Sequence, residues 1–386
     1  MLRIQNHQIL KKDKIHIDTI ILSIYFLLLP LDFFDTGMGS ISKYISIAVI
    51  GCVVLWNIRN FKLNISVISI LALYFVLNYI SSAYSINDYL SRQRAHSLFF
   101  NYVLIIVCAS SKKNEIELDF LKKTLAISGW VVVGLMIFFN GNLEGGGDRL
   151  TVMVDGQEQD PNYLCGYMLF SVAYYLDIVF NKGKKIWAII SLATIFIVVI
   201  STGSRGGTLA IVSTCLFFYL LDNKNKHKIR NLFIIALVTV GVLFIVNRYI
   251  SEDVLLRFSK EYIEADQGAG RFQIWESAIY SYKNFGIFNK IFGSGAATIR
   301  NYTVNVAHNI WLETLVELGI IGLTLLIIMY TLFVKYGFKL KSKVYLASLL
   351  GYIVMTMSLS LYTYKPIFTI FMLIAMVYKF ECLDKG

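Results

Sequence analysis

Long apolar runs alternate with short polar segments along the whole chain. Each apolar run holds roughly 17 to 25 residues, which is the length of an α-helix that crosses a lipid bilayer. The pattern therefore predicts an all-α, polytopic membrane protein with about twelve transmembrane helices. We place these spans at residues 18–34, 41–57, 65–83, 96–110, 119–139, 162–180, 186–202, 206–221, 231–247, 309–334, 344–362 and 364–379. The fourth run is short and only TYKP separates the last two, so ten or eleven spans also fit the pattern.

The composition agrees with this pattern and excludes several classes of protein. Hydrophobic residues make up 56% of the 386 residues and charged residues only 16%, which is too apolar for a soluble domain of this length. We expect one integral membrane domain over residues 1–386. The five cysteines have no metal-ligand spacing and should be buried small residues. The spans have few ionisable residues in their middles, which argues against a proton-coupled transporter. The chain has no P-loop pattern, which argues against ATP-driven transport.

The distribution of lysine and arginine predicts the orientation of the chain. The two termini and every second loop carry 20 lysines and 3 arginines, which is 23 of the 36 basic residues. By the positive-inside rule, both termini are cytoplasmic. The largest segment on the outer side is then 248–308, where we predict one or two short surface helices, Arg257 to Glu264 and Arg271 to Tyr282. The outer segment 140–161 is acidic and glycine-rich, and we expect it to be flexible enough to act as a lid.

Arginine is concentrated on the outer side, where the chain has 8 arginines and 5 lysines. Any cation serves topology, but the planar guanidinium group binds phosphate or carboxylate through two parallel hydrogen bonds. The asymmetry therefore predicts an anionic ligand on the outer side, most simply a phosphate or diphosphate. The alternative is a codon bias toward lysine with arginines placed by chance. The outer arginines are Arg92, Arg94, Arg149, Arg205, Arg248, Arg257, Arg271 and Arg300.

Two arginines lie in segments that suit an anion. Arg205 lies in the turn STGSRGG, where glycines allow close backbone approach and the following helix points its positive end outward. Arg271 begins the segment RFQIWESAIYSY, which would lie at the level of the lipid headgroups. The alternatives are a plain helical hairpin with a snorkelling arginine and an interfacial helix without a ligand.

His308 is the candidate for proton transfer. It ends the outer segment and begins an apolar helix, and its unperturbed pKa near 6.5 lets it accept a proton from a hydroxyl group at neutral pH. A solitary histidine is more often structural, so its position carries the prediction. Glu313, Glu317 and Asn309 are expected in supporting roles, where the carboxylates orient groups or pair with arginines.

The order of these segments resembles the O-antigen polymerase and ligase superfamily. The resemblance rests on DPN at 160–162, a span, SRGG, another span, a large outer segment with GR…IW, and then AHNIWLETLVELGIIGL. It covers order and topology over roughly residues 160–335, and the twelve predicted spans agree with it. The family also has an arginine followed eleven positions later by a glycine, seen here as Arg257 and Gly268.

The resemblance implies a membrane-embedded glycosyltransferase of the bacterial inner membrane. Its donor would be an undecaprenyl-diphosphate-linked oligosaccharide, used on the periplasmic side without a metal or other cofactor and without nucleic acid. Arg205 and Arg271 would bind the diphosphate, and His308 would deprotonate the acceptor hydroxyl. We count Arg257, Arg92 and Arg94 among the diphosphate-binding residues as well.

The activity itself has three interpretations. The turn GSRGG and the continuation ELGIIGL favour an O-antigen polymerase, which joins lipid-linked repeat units and works with a chain-length regulator protein. The alternative is an O-antigen ligase, which transfers the finished glycan to lipid A–core. A non-enzymatic flippase is the third interpretation, but it would need cationic residues in the middle of its spans.

Overall fold

The computed structural model describes residues 14–34, 40–140, 149–181, 185–221, 241, 248, 250–266 and 268–383. About 77% of the described residues are helical, and they form fifteen α-helices and one ladder of two short strands. The helices are α1 Ile17–Leu28, α2 Ile41–Asn57, α3 Ile65–Ser81, α4 Asp88–Ser110, α5 Glu115–Phe138, α6 Pro161–Asn181, α7 Lys185–Ser201, α8 Arg205–Leu221, α9 Glu252–Leu256, α10 Lys260–Ala265, α11 Arg271–Asn284, α12 Ile287–Phe292, α13 Ile310–Lys339, α14 Val344–Thr356 and α15 Lys365–Tyr378. The antiparallel strands are β1 Met153–Val154 and β2 Gln157–Glu158. Short 3-10 helices follow at Leu29–Phe33 and Ile299–Asn301, and a π-helical turn spans Lys379–Leu383.

The described helices follow the predicted spans closely. Every predicted span except the ninth overlaps a described helix, and the ninth, 231–247, lies outside the described residues apart from Gly241. Four helices are long and apolar enough to cross a membrane, at Glu115–Phe138, Pro161–Asn181, Ile310–Lys339 and Lys365–Leu383. The other apolar helices are shorter, so the structure supports a helical membrane protein without confirming the count of twelve. The single domain and the side of the termini stay predictions.

Small residues let the central helix α6 pack closely against its neighbours. A side chain at Gly129 of α5 would overlap Ser171 of α6, and one at Gly207 of α8 would overlap Cys165 of α6. In lipid the hydrophobic effect does not drive helix association, so close van der Waals packing at small residues takes its place. Helix α6 contacts α5, α7, α8 and α14. Its first residues therefore lie at the centre of the predicted outer end of the bundle.

Helix α4 begins earlier than the apolar run indicates. The run predicts a span from residue 96 with Arg92 and Arg94 in a preceding loop, but α4 begins at Asp88 and contains both arginines. The cause is a helix cap, because the Asn87 side chain accepts a hydrogen bond from the backbone N–H of Leu90 at 3.1 Å. The hydropathy pattern marks only the apolar part of this helix.

Helix α13 is broken at Gly319, where the backbone has a positive φ of 64°. The break removes the usual hydrogen-bond partners of the preceding carbonyl groups. The carbonyl of Val316 instead accepts a bond from Ser294 N–H at 3.0 Å, and that of Glu317 accepts one from Gly295 N–H at 2.9 Å. A glycine is required because a side chain at residue 319 would overlap the backbone of Ile291. The break thus attaches the outer segment to α13.

The outer segment 248–308 has more helices than the sequence predicts. Four short α-helices, α9 to α12, replace the expected one or two. The predicted helix from Arg257 to Glu264 is found as α10 but begins only at Lys260, because Ser259 caps it by accepting a hydrogen bond from Tyr262 N–H at 3.2 Å. The predicted helix from Arg271 is confirmed as α11 and extends to Asn284. A small apolar cluster of Ala278, Ile299, Ala307 and Val316 packs this segment against α13.

Candidate functional site

Four arginines line one polar cavity of about 360 Å³ at the start of α6. Three of them, Arg205, Arg257 and Arg271, were predicted from the sequence to bind an anion. The fourth is Arg149, which sequence reasoning counted among the outer arginines but did not assign to the site. The carboxylates of Glu158 and Asp160 and the amide of Asn162 also line the cavity.

Three helices begin at this cavity. Its lining includes Pro161 at the start of α6, Arg205 at the start of α8 and Arg271 at the start of α11. The N-terminus of an α-helix carries a partial positive charge and favours anions. Four guanidinium groups and three helix N-termini against two lining carboxylates give the cavity an excess of positive charge.

The turn between α7 and α8 holds two of the arginines. Arg149 Nε donates a hydrogen bond to the carbonyl of Thr202 at 2.8 Å, and Arg257 Nε donates one to the carbonyl of Gly203 at 3.2 Å. Gly203 has a positive φ of 60°, and a side chain there would lie 3.0 Å from Arg257 Cδ. Only glycine combines this conformation with room for Arg257. The turn therefore fixes the positions of both guanidinium groups.

Arg205 is oriented by a carboxylate from the outer segment. Its Nη1 and Nη2 atoms donate to the two oxygens of Asp266 at 3.1 Å and 2.6 Å, which is a bidentate pair. The hydrogen bond from Arg205 lowers the pKa of Asp266, so this carboxylate is ionised at neutral pH. Asp266 also accepts a bond from Ala269 N–H at 3.1 Å, next to the start of α11. Asp266 thus connects α8 with the segment that carries Arg271.

The guanidinium group of Arg271 has no hydrogen bond or ion pair to any residue that the structure describes. It is the first residue of α11, after Gly270 with a φ of 72°. Burial lowers the pKa of Arg271, and Arg205 lowers it further while Asp160 raises it. An arginine stays protonated in proteins. Arg271 is therefore a partly buried cation at the cavity whose counter-ion is not supplied by the described chain.

His308 does not line the wall of the cavity, but the residue before it, Ala307, accepts a hydrogen bond at 2.8 Å from Trp275 Nε1 of α11, the helix that Arg271 begins. Its backbone has a positive φ of 49°, and its Nδ1 atom is buried without a hydrogen-bond partner among the described residues. Burial and the nearby charge of Arg271 lower the pKa of His308, and Asp160 opposes them. The imidazole is therefore neutral at neutral pH and can accept a proton. Asn309 caps α13 by accepting bonds from Trp311 and Leu312 N–H at 3.1 Å and 3.2 Å.

The two predicted supporting carboxylates are buried away from the cavity lining. Glu317 pairs with Arg94 and accepts a bond from Ile299 N–H at 3.0 Å. Glu313 accepts a hydrogen bond from the hydroxyl group of Ser360. These contacts connect α13 to α4, to the outer segment and to the connection before α15.

Arg92 and Arg94 are the two predicted diphosphate-binding arginines that the structure places away from the cavity. Arg94 pairs with Glu317 and lies 4.2 Å from the centre of the Tyr362 ring. Arg92 pairs with Asp88 on an exposed face of α4. Neither arginine lines the cavity. Both already have carboxylate partners within the chain.

Sequence reasoning missed Arg149 and the polar residues at the start of α6. Ser204 Oγ donates to Asn162 Oδ1 at 2.6 Å, and Asn162 Nδ2 donates to Asp160 Oδ1 at 2.6 Å, which connects the start of α8 to the start of α6. The DPN triplet at 160–162 was the available signal for these residues. Arg149 had only its place on the outer side as a signal.

The described residues contain one group with the spacing of a metal site, away from the arginine cavity. Donor atoms of His16, Asp18 and Glu117 lie within 4.8 Å of one another. The Lys113 ammonium pairs with Asp18 and donates to Thr19 Oγ1 at 2.7 Å, and Thr19 Oγ1 donates to Glu117 at 2.7 Å. A lysine already supplies the positive charge of this buried group. Its geometry fits a structural ion pair between α1 and the start of α5.

Comparisons with known proteins identify the class of the central part of the chain. The family model described as O-antigen ligase matches residues 190–327, which is less than half of the chain. This match confirms the resemblance to the O-antigen polymerase and ligase superfamily. It indicates a glycosyltransferase-like or ligase enzyme of lipopolysaccharide biosynthesis in a membrane.

Two further comparisons add little to this assignment. A search of curated proteins finds no match. A solved structure from work on structural coordination of polymerization and crosslinking by a peptidoglycan synthase complex is similar over 84% of this chain and 99% of that chain. It has 14% sequence identity and a TM-score of 0.46.

Proposed function

We propose that this protein is an O-antigen polymerase of the bacterial inner membrane. It joins oligosaccharide repeat units that are carried on undecaprenyl diphosphate, and it does so on the periplasmic side. The observation that carries the proposal is the cavity lined by Arg149, Arg205, Arg257 and Arg271, with His308 next to a residue that contacts α11. The cavity supplies the charge that a diphosphate needs, and the family match supplies the class of reaction.

The reaction divides between the arginines and the histidine. A hydroxyl group of the acceptor sugar attacks the anomeric carbon of the donor, and the bond from that carbon to the diphosphate oxygen breaks. His308 takes the hydroxyl proton, and the arginines stabilise the negative charge that develops on the departing diphosphate. Because the guanidinium groups neutralise that charge, the proposed reaction is independent of a metal ion.

The ligase is the second candidate, and the description of the matching family favours it. Both enzymes release the same diphosphate and deprotonate an acceptor hydroxyl, so the arginine cavity serves either. We prefer the polymerase because the turn GSRGG and the continuation ELGIIGL resemble polymerases more than ligases. A polymerase would also act with a chain-length regulator protein.

The two candidates leave different products when the gene is deleted. Loss of the polymerase leaves surface glycan as single repeat units on lipid A–core. Loss of the ligase leaves lipid-linked polymer and bare lipid A–core. Electrophoresis of lipopolysaccharide separates these outcomes, and bare lipid A–core in the deletion strain would contradict the polymerase.

Point variants in the deletion strain test the site. We expect Arg205→Ala and His308→Ala, inserted at normal levels, to leave single repeat units, since one lost donor to a developing anion or one lost base slows catalysis by about 10²- to 10⁴-fold. The control is Arg248→Ala, which removes an exposed outer arginine that does not line the cavity. Long chains in the first two variants would show that the site is assigned wrongly.

A further inference from the structure

A second polar cavity, of about 390 Å³, lies between α2, α4 and the residues that lead into α15. No residue of the arginine cavity lines it. Its wall includes Lys43 of α2 and Thr363 and Lys365 at the start of α15. The family resemblance and the proposed reaction leave this cavity without a role.

One face of α4 forms the polar wall of this second cavity. Gln93, His96, Ser97 and Asn101 all line it, and their spacing places them on one side of the helix. The side chains of Gln93, His96 and Ser97 are exposed, whereas Phe99, 45% exposed, does not line the cavity and belongs to the apolar surface of the helix. Polar side chains on a membrane helix are costly against lipid and face a hydrated cavity instead. This stripe therefore faces water or a hydrophilic ligand.

The groups along the stripe match the hydroxyl groups of a sugar. An amide both donates and accepts hydrogen bonds, as do a neutral imidazole and a hydroxyl group. Lys365 is held by Asp32 and by Ser40 Oγ at 2.9 Å, so its charge is matched within the cavity. Lys43 lies 5.6 Å from the centre of the Phe100 ring and has no carboxylate partner among the described residues. The cavity is thus rich in hydrogen-bonding groups and carries a small excess of positive charge.

A pair of tyrosines separates the two cavities. Tyr364 lies between Thr363 and Lys365 of the second cavity, and Tyr163 follows Asn162 of the arginine cavity. The two rings are 5.5 Å apart, and Tyr364 Oη donates to the carbonyl of Tyr163 at 2.5 Å. The cavities are therefore neighbours on either side of one aromatic contact.

We propose that the second cavity binds the saccharide of the acceptor, while the arginine cavity holds the diphosphate of the donor. This inference rests on the proposed function, since it assumes a reaction between two glycans. Transfer needs two saccharides bound at once, and the hydrogen-bonding stripe of α4 provides a place for the second beside the first. The α4 stripe then sets the preference for the acceptor sugar.

Binding measurements on the purified full chain in nanodiscs test this directly. One ligand is the lipid-free repeat-unit oligosaccharide from the cell's own surface glycan, and the other is undecaprenyl diphosphate. The double variant Gln93→Ala/His96→Ala should weaken oligosaccharide binding about tenfold, because it removes two hydrogen-bonding side chains. Ser97→Trp should block the same site by filling it. Both should bind undecaprenyl diphosphate as the wild type does, and Phe99→Leu on the apolar surface should change neither affinity.

The outcomes separate this inference from the proposed function. Wild-type oligosaccharide affinity in both α4 variants would overturn the inference, and so would an equal loss of both ligands in Ser97→Trp, which would place them in one site. A wild-type protein that binds undecaprenyl diphosphate but not the oligosaccharide would overturn the inference alone. A wild-type protein that binds the oligosaccharide but not undecaprenyl diphosphate would count against the proposed function.

Discussion

The ion pair between Arg94 and Glu317 gives the sharpest test of how this fold is held together. The side chain of Arg94 is 16% exposed and that of Glu317 is 0% exposed. Arg94→Ala would leave the Glu317 carboxylate buried without its counter-ion, and such a loss costs about 3–5 kcal/mol. We expect the free energy of unfolding to fall by about that amount.

A double-mutant cycle isolates the buried charge as the cause. In Arg94→Ala/Glu317→Gln the carboxylate is replaced by a neutral amide whose oxygen can still accept the bond from Ile299 N–H. We expect this double variant to recover much of the stability lost in Arg94→Ala. The control on the same helix is Arg92→Ala, because the exposed pair of Arg92 with Asp88 contributes at most about 1 kcal/mol. Unfolding in mixed micelles, followed by tryptophan fluorescence, measures the wild type, the single variants Arg94→Ala and Glu317→Gln, their double variant and the control.

Two results would refute this reasoning. One is a loss below about 1 kcal/mol in Arg94→Ala, which would show that water reaches the carboxylate. The other is an unchanged stability with a loss of affinity for undecaprenyl diphosphate as large as that of Arg205→Ala. That result would indicate that Arg94 binds the diphosphate, as the sequence predicts.

Three further predictions concern the site. The rate of chain extension should fall as the pH drops through the pKa of His308, which burial places below the ordinary value of about 6.5; a rate that already halves above that value would contradict this assignment. Gly203→Ala should destabilise the protein by about 1–2 kcal/mol and weaken diphosphate binding, because the new side chain strains a positive φ and displaces Arg257. The control Gly134→Ala in α5, which has open space around it, should stabilise the protein by about 0.5–1 kcal/mol. Equal thermal shifts in the two variants would be inconsistent with this account. Extension by the purified protein should continue in excess EDTA, and a loss of rate restored by magnesium would disprove metal independence.

The sequence predicted the helices well because membrane insertion is a local property. A run of apolar residues long enough to cross the bilayer predicts a membrane helix whatever the rest of the chain contains. The predicted helix boundaries were wrong where polar capping residues set the start of a helix, as at Asn87 before α4 and Ser259 before α10. The break of α13 at Gly319 also needed the structure, since it depends on the loop at Ser294 and Gly295 that takes over the unpaired carbonyls.

The candidate site shows the same division. The outer concentration of arginine predicted an anion, and Arg205, Arg257 and Arg271 do share one cavity. The sequence had no means to exclude Arg92 and Arg94, because their partners Asp88 and Glu317 are recognised only from side-chain positions. Arg149 was missed for the complementary reason, since its contact with Thr202 joins segments far apart in the chain.

By itself, the sequence determined an all-α membrane protein, the resemblance to the O-antigen polymerase and ligase superfamily, and an arginine-rich outer side. Those properties follow from the composition and from local residue patterns, which do not depend on how the helices pack. Only the tertiary structure decided which arginines meet in the cavity, that the segment before His308 contacts α11, and that the polar face of α4 lines a second cavity. Each of these depends on how distant helices pack, because like charges gather in one place only where the surrounding fold holds them there.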